Sequence, residues 1–267
     1  MKQPSLFLSH GAPTLPLTDT PARAFLSGLG GQLARPKAIL VISAHWETSL
    51  PTISAVDRNE TIHDFFGFPR ALYELRYPAP GSPSVAADVA ELLRESGIES
   101  RIDRARGLDH GAWVPLLLMY PQADIPVLQL SLQPHLGPQH HLAIGRALAP
   151  LRQQGVLIIG SGSLTHDLSE FRGHGPDDPA PEWVNHFADW FQGALTAGRT
   201  HELLDYRRRA PFAAKNHPSE EHLLPLYVAL GAAGENALAE RLHASSTYSV
   251  LRMDVYAFGE GGGHRSQ

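Results

Sequence analysis

The chain has 267 residues, 43% of them hydrophobic, and a formal net charge of −5, which predicts one soluble domain with a single large core. It contains no cysteine, and this excludes disulfides, thiolate metal sites, iron–sulfur clusters and cysteine nucleophiles. The acidic balance argues against nucleic-acid binding, and the absence of any apolar run of about twenty residues argues against a membrane span. Because no signal-peptide pattern follows Met1, we expect a cytoplasmic protein whose partners are small molecules, with its oligomeric state left open.

Apolar runs and helical periodicity alternate along the chain. Continuous aliphatic or β-branched runs bounded by Pro, Gly or Ser predict strands at residues 4–9, 37–44, 125–131 and 155–161, and an alternating pattern predicts a last strand at 247–259. Helical periodicity predicts helices at residues 21–33, 83–97, 138–153, 181–197, 218–231 and 234–243. This alternation predicts an α/β protein with a mixed central β-sheet flanked by helices. We expect one domain over residues 1–267, with residues 260–267 forming a flexible tail.

Three long segments are rich in Pro, Gly and aromatic residues and carry little periodicity. They cover residues 57–82, 103–115 and 167–180. Long connections of this kind in a compact domain are usually functional, so we expect these segments to form the walls of a site.

Four of the 15 histidines lie where an α/β protein builds its active site. His10, His45 and His166 each follow an apolar strand-like run, and His222 opens an apolar helical segment. Ligands of open α/β sheets bind beyond the carboxyl ends of the strands, so these side chains are expected to converge. Imidazole suits zinc, iron, copper and nickel, and a histidine set that leaves coordination positions open is typical of a catalytic metal. Each histidine alone is weak evidence, because most histidines at such positions are ordinary turn or core residues.

Other histidines are candidates for contact with a substrate. His217 lies five residues before His222, and we expect one of the two to be a ligand and His217 to contact the substrate. His63 lies in an aromatic loop that either lines a substrate pocket or covers the core. His110 follows Asp109, whose carboxylate is expected to fix the histidine tautomer.

Five segments carry a resemblance to a known family: SHGAP, SAHWE, DHGAWVPL, GSGSLTHDL and HPSEEHLLPLYVALGAAG. In order and spacing they resemble the class III extradiol ring-cleaving dioxygenases (LigB-like), most closely the 4,5-DOPA extradiol dioxygenase branch. The resemblance spans nearly the whole chain. It implies a mixed sheet flanked by helices, non-haem Fe(II), a catechol and O₂ as substrates, and a muconate-semialdehyde-type product.

The resemblance also implies residue roles. His10, His45 and His222 match the metal ligands, His166 matches a histidine beside the open face of the metal, and His110 matches a further pocket histidine. We choose His166 as the catalytic base, a task suited to a pKa near 7, and expect His110 to hydrogen-bond substrate or oxygen. In one respect the sequence departs from the protocatechuate-cleaving relatives, which use Glu as third ligand where this chain has His222. A site with three histidines carries less negative charge than one with two histidines and a glutamate, and we expect that Zn(II) can also occupy it.

Two other functions fit the same histidines. A zinc hydrolase would use His166 or Glu47 as general base toward a metal-bound water, and a non-catalytic adaptor would keep the metal without chemistry. The sequence leaves the catechol open as well, with Arg70 or Arg76 as candidate partners of a substrate carboxylate.

Overall fold

An eight-stranded mixed sheet forms the centre of the protein. The computed structural model describes residues 1–235 and 237–259, so the tail predicted at 260–267 lies outside the described residues. The strands are β1 (Ser5–Ser9), β2 (Ala38–Glu47), β3 (Thr52–Ser54), β4 (Arg101–Asp103), β5 (Val127–Leu132), β6 (Val156–Gly162), β7 (Leu238–His243), β8 (Ser246–Thr247), β9 (Leu251–Arg252) and β10 (Val255–Gly259). The main sheet has the order β4-β3-β5-β2-β6-β1-β10-β7, and β8 pairs with β9 separately.

The four central strands of the sheet, β5, β2, β6 and β1, are parallel to one another, whereas β10 and β7 continue the sheet in antiparallel pairing. The prediction of a mixed sheet is confirmed. The parallel strands all end at the same edge, which therefore collects the loops that follow them.

Helices cover both faces of the sheet. They are α1 (Pro21–Gln32), α2 (Arg70–Glu74), α3 (Pro83–Glu95), α4 (His110–Met119), α5 (Gly137–Gln153), α6 (Glu182–Thr196), α7 (Thr200–Leu204), α8 (Tyr206–Arg209), α9 (Ala213–Asn216) and α10 (Leu224–Ala233). Along β2, Leu40 and Ile42 face a core shared with α3, α5, α6 and α10. Ile39 and Val41 face a second core shared with α1 and α4. This alternation is the period of two that a strand imposes, and it explains why β2 is apolar throughout.

Helix α10 is buried along its whole length and packs between α5 and the sheet. Its contact with α5 is close, because a Cβ added at Gly231 would overlap the carbonyl oxygen of Leu142. Within the described residues, no helix combines the length and apolar character needed to cross a membrane.

Three predictions at the C-terminal end differ from the structure. The predicted helix at 234–243 is wrong, because Leu238–His243 forms strand β7 against β10. The helix predicted from residue 218 begins only at Leu224. The strand predicted at 247–259 is broken into separate strands, with Tyr248 and Ser249 at φ values of 50° and 66° in a turn between β8 and β9. In the first case, the pairing of β7 with β10 overrides the local helix propensity of the segment.

Candidate metal centre

Three histidine side chains converge at the carboxyl edge of the sheet. His10 directly follows β1, His45 lies near the end of β2, and His222 lies just before α10. The Nε2 atoms of His10 and His45 are 3.0 Å apart, and one nitrogen from each of the three rings lies within 4.8 Å of the others. The structure therefore brings together the three residues that the sequence predicts as metal ligands.

Hydrogen bonds on the far side of two rings set their tautomers. The Ser161 hydroxyl donates to the carbonyl of Gly111, so at 3.0 Å from His10 Nδ1 it must accept the Nδ1 proton. His222 Nδ1 likewise donates to Glu221 Oε1 at 2.9 Å. Both rings therefore turn an unprotonated Nε2 toward the centre, which is the arrangement that bound metals require of histidine.

Local backbone geometry explains how these rings reach the site. The pairing of β2 with β5 shifts in register between Ile42 and Glu47, and such irregularities re-aim side chains beside active sites. The end of β6 approaches the His222 backbone closely: the Ser163 amide donates to the His222 carbonyl at 2.9 Å, and a Cβ at Gly162 would overlap that carbonyl oxygen. Glycine at position 162 is thus needed for His222 to lie where it does.

The electrostatics of the centre keep the imidazoles neutral. Burial, followed by the charges of the neighbouring histidines, holds the pKa values of His10 and His222 well below the ordinary 6.5. Burial and then the charge of His110 lower the pKa of His45 to about 3. Neutral imidazole is the metal-binding form. In the described part of the chain, the buried His222 Nε2 also has no protein hydrogen-bonding partner, so this donor set fits a divalent metal such as iron(II) or zinc(II).

His166 lies beside the centre in the loop after β6. Its ring stacks on that of His222 with 3.4 Å between centroids and 12° between planes, and its amide donates to the Asn216 carbonyl at 2.8 Å. Burial is the main cause that lowers the pKa of His166 to about 4, below the value near 7 that suits a general base. At neutral pH the ring is unprotonated and can accept a proton.

His110 is held by a residue that sequence reasoning missed. Its amide and its Nδ1 each donate to one oxygen of Asp64, both at 2.9 Å. Asp109, the predicted partner, instead caps α4 and accepts bonds from Ser43 at 2.7 Å and Gln129 at 2.8 Å. Asp64 precedes His110 by 46 residues, and no spacing pattern connects the two in the sequence.

The charge state of Asp64 follows from this contact. Burial opposes its ionisation, but the hydrogen bonds and charge of His110 outweigh burial and lower the pKa of Asp64 to about 2. Asp64 is therefore an anion at neutral pH, and it also lies 3.9 Å from His45 Nδ1.

The two predicted substrate contacts lie further from the centre. His217 is fully buried, and its Nε2 donates to the Leu164 carbonyl at 2.8 Å, so it braces the loop that carries His166. His63 lies 3.1 Å from the Leu75 carbonyl and is separated from His110 by Phe65, whose ring centroid lies 5.6 Å from that of His63 and 5.7 Å from that of His110.

Comparison with known proteins agrees with this architecture. A family described as the catalytic LigB subunit of aromatic ring-opening dioxygenase matches residues 5–259. The chain is 49% identical to a 4,5-DOPA dioxygenase extradiol of Beta vulgaris, over 95% of this chain and 96% of the relative. It is 41% identical to a protein of the same name from Escherichia coli strain K12, over 86% of this chain and 85% of the relative.

The fold is matched by a crystal structure of an uncharacterized protein from Escherichia coli K12, with a TM-score of 0.80 and 33% identity over 97% of this chain and 100% of that chain. The family match, the relatives and the histidine centre together show that this chain belongs to the LigB family of catalytic subunits of aromatic ring-opening dioxygenases.

Proposed function

We propose that this protein is an extradiol dioxygenase that opens the ring of a catechol with O₂ at iron(II) held by His10, His45 and His222. The observation that carries this proposal is the convergence of three neutral imidazole nitrogens at the sheet edge, in a chain that belongs to a ring-opening family. The substrates are one catechol and one O₂. Both oxygen atoms enter the product as the ring carbon–carbon bond next to the diol breaks, which yields a muconate-semialdehyde-type product.

The proposed reaction needs a metal that can take part in electron transfer. When bound, iron(II) supplies open coordination positions for a chelating diol and for O₂, and a path for electrons between them. Zinc(II) suits the same nitrogen ligands but has no redox chemistry, so a zinc-loaded protein is expected to bind catechols without turnover.

His166 is the proposed base. No hydrogen bond from a described residue occupies its ring nitrogens, and the ring lies directly against His222. Because burial is the main cause that lowers the pKa of His166 to about 4, the ring is unprotonated at neutral pH. His166 is proposed to take a proton from a catechol hydroxyl and to return it later.

His110 is proposed to orient the substrate. When the ring is neutral, its Nδ1 proton is donated to Asp64, which leaves Nε2 as a hydrogen-bond acceptor. A catechol hydroxyl is a suitable donor for this position. His110 would thus fix the ring of the substrate relative to His166.

Oxygen consumption is the direct test. Metal-stripped protein is reconstituted anaerobically with Fe(II) or Zn(II) and mixed with catechols in oxygenated buffer, while O₂ uptake and the yellow semialdehyde absorbance are recorded. We expect uptake with Fe(II) only, with one O₂ consumed per catechol. Tight metal binding without uptake for any catechol would contradict the proposal and favour a zinc hydrolase or a non-catalytic metal protein.

A further inference from the structure

The loop that carries His166 is fastened to the segment that carries His222. At the start of the loop the Ser163 amide donates to the His222 carbonyl at 2.9 Å, and at its end the His166 amide donates to the Asn216 carbonyl at 2.8 Å. The rings of His166 and His222 stack with 3.4 Å between their centroids. A displacement of the loop along this segment would therefore change the distance between the proposed base and the proposed ligand.

His217 supplies a side-chain bond between these two backbone bonds. Its Nε2 donates to the Leu164 carbonyl at 2.8 Å, two residues before His166. Burial is the main cause that lowers the pKa of His217 to about 3, so the ring is neutral at neutral pH and carries one proton. Because a carbonyl oxygen can only accept, that proton lies on Nε2 and is directed at the loop.

The His217 side chain is itself held firmly. It is fully buried, and its ring packs against that of Phe187 with 5.5 Å between centroids. Its backbone amide donates to the Ala213 carbonyl at 3.0 Å, and its carbonyl accepts from the Arg207 guanidinium at 2.6 Å. A donor whose own position is fixed by packing and hydrogen bonds can fix the position of the group that it contacts.

Other bonds hold the opposite side of the loop. The Leu164 amide donates to the Ser9 hydroxyl at 3.1 Å, and the Thr165 hydroxyl donates to the Val250 carbonyl at 2.7 Å. Loss of the His217 ring would therefore leave the loop attached, but the buried Leu164 carbonyl would lose this donor. Because an unpaired buried carbonyl is costly, we expect the loop to shift toward another partner and to carry His166 with it.

We propose that His217 is a positioning residue for the reaction, whose bond to the Leu164 carbonyl holds the ring of His166 against that of His222. The inference rests on the proposed function, because it takes His166 as the base. His217 acts on turnover through the loop and not through contact with the substrate. A displacement of about 1 Å at a reacting group can lower the rate by about 100-fold, so a single bond two residues away is enough to matter.

The test compares two variants of similar size in the iron-loaded enzyme. His217→Leu fills the space without a donor, whereas His217→Gln keeps an N–H group that can reach the same carbonyl. By O₂ uptake with a catechol, we expect kcat of the Leu variant to fall about 10- to 100-fold, with KM within about twofold of the wild type. The Gln variant should recover most of this loss. Should the Leu variant fail to fold, His217→Met, also apolar and more adaptable in shape, takes its place.

Two measurements do not depend on activity. The zinc affinity of the Leu variant, from competition with a chelator, should equal that of the wild type, because all three proposed ligands remain. Crystal structures of the zinc-loaded proteins should show the His166 ring displaced from His222 in the Leu variant and stacked on it in the wild type. An undisplaced ring would overturn the inference, and so would a raised KM at unchanged kcat, which would make His217 a substrate contact.

His141→Leu is the matched control. His141 is also a fully buried histidine, and its Nδ1 donates to the Gly137 carbonyl at 2.7 Å, but it lies outside the candidate centre. The control variant should keep the wild-type kcat. An equal loss of kcat in the His141 and His217 variants would attribute the effect to the loss of any buried hydrogen bond and would overturn the positioning role.

The outcomes separate this inference from the function on which it rests. If the wild-type enzyme turns over and His217→Leu has the same kcat, the positioning role is overturned and the dioxygenase stands. If the iron-loaded wild type cleaves no catechol, the proposed function fails, and the part of His217 in the reaction falls with it.

Discussion

Asp64 holds His110 at two points, accepting the backbone amide with one carboxylate oxygen and ring Nδ1 with the other, each at 2.9 Å. The pair links an irregular loop to the first residue of α4. A side chain fixed through both its ring and its backbone cannot rotate without breaking both bonds, so the orientation of His110 toward the centre is set by this one carboxylate.

Replacement of Asp64 by Asn should therefore impair turnover without removing the metal. An amide can accept with only one atom and would place its NH₂ group against one of the two donors of His110. We expect kcat to fall by about 10- to 100-fold, measured by O₂ uptake, with metal content by elemental analysis unchanged. Asp57→Asn, at an exposed aspartate, is the control, and metal loss in the Asp64 variant would show that Asp64 is itself a ligand.

The metal content of alanine variants should distinguish the proposed ligands from the proposed base. His10→Ala, His45→Ala and His222→Ala each remove one of the converging nitrogens, so each variant should lose iron on dialysis. His166→Ala should retain the metal and lose O₂ uptake, because its ring stacks beside the centre. If the His166 variant also came out of dialysis without metal, His166 would have to be counted as a fourth ligand.

Ser161→Ala should weaken metal binding through His10. The substitution removes the acceptor of the His10 Nδ1 proton, so the ring is no longer held in the tautomer that presents Nε2. The expected loss is about 10- to 100-fold in metal affinity, measured by competition with a chelator. Ser163→Ala is matched in size and burial but bonds to the Thr165 carbonyl, and an equal loss in that variant would attribute the effect to general destabilisation.

Acid should destabilise the fold partly through His141, which lies outside the candidate centre. Its Nδ1 donates to Gly137 at 2.7 Å and its Nε2 accepts from the Gln133 amide at 3.2 Å. Burial is the main cause that lowers the pKa of His141 from 6.5 to about 4. Since the unfolded chain binds this proton more readily, the stabilisation is present above pH 6.5 and is lost as pH falls toward 4.

The contribution can be isolated by its pH slope. Between pH 7 and pH 5, His141 should account for about 2 kcal/mol of lost unfolding free energy, measured by urea unfolding of the metal-free protein. His141→Gln should be less stable at pH 7 and show a shallower decline by about that amount. Identical slopes in the two proteins would rule out this histidine as a source of acid sensitivity.

Much of the sheet was predictable because its central strands are apolar on both faces. The four runs that became β1, β2, β5 and β6 were predicted within a few residues, since burial on two sides leaves a continuous aliphatic signal. The strand within the segment at 234–243 was not predicted. In this strand the side chains of Leu238 and Glu240 are exposed to solvent, whereas Ala239 between them is buried against the sheet. Its residues favour a helix locally, and only its pairing with β10 makes it a strand.

The sequence by itself determined that His10 and His45 lie at the ends of apolar strands, and parallel strands deliver such residues to a common edge. Their convergence is therefore predictable from the order of residues alone. The partners that orient the rings were decided by the tertiary structure. Asp64 meets His110 across 46 residues and Ser161 meets His10 across 151, and contacts between such distant segments depend on how the loops pack, which no local pattern of residues records.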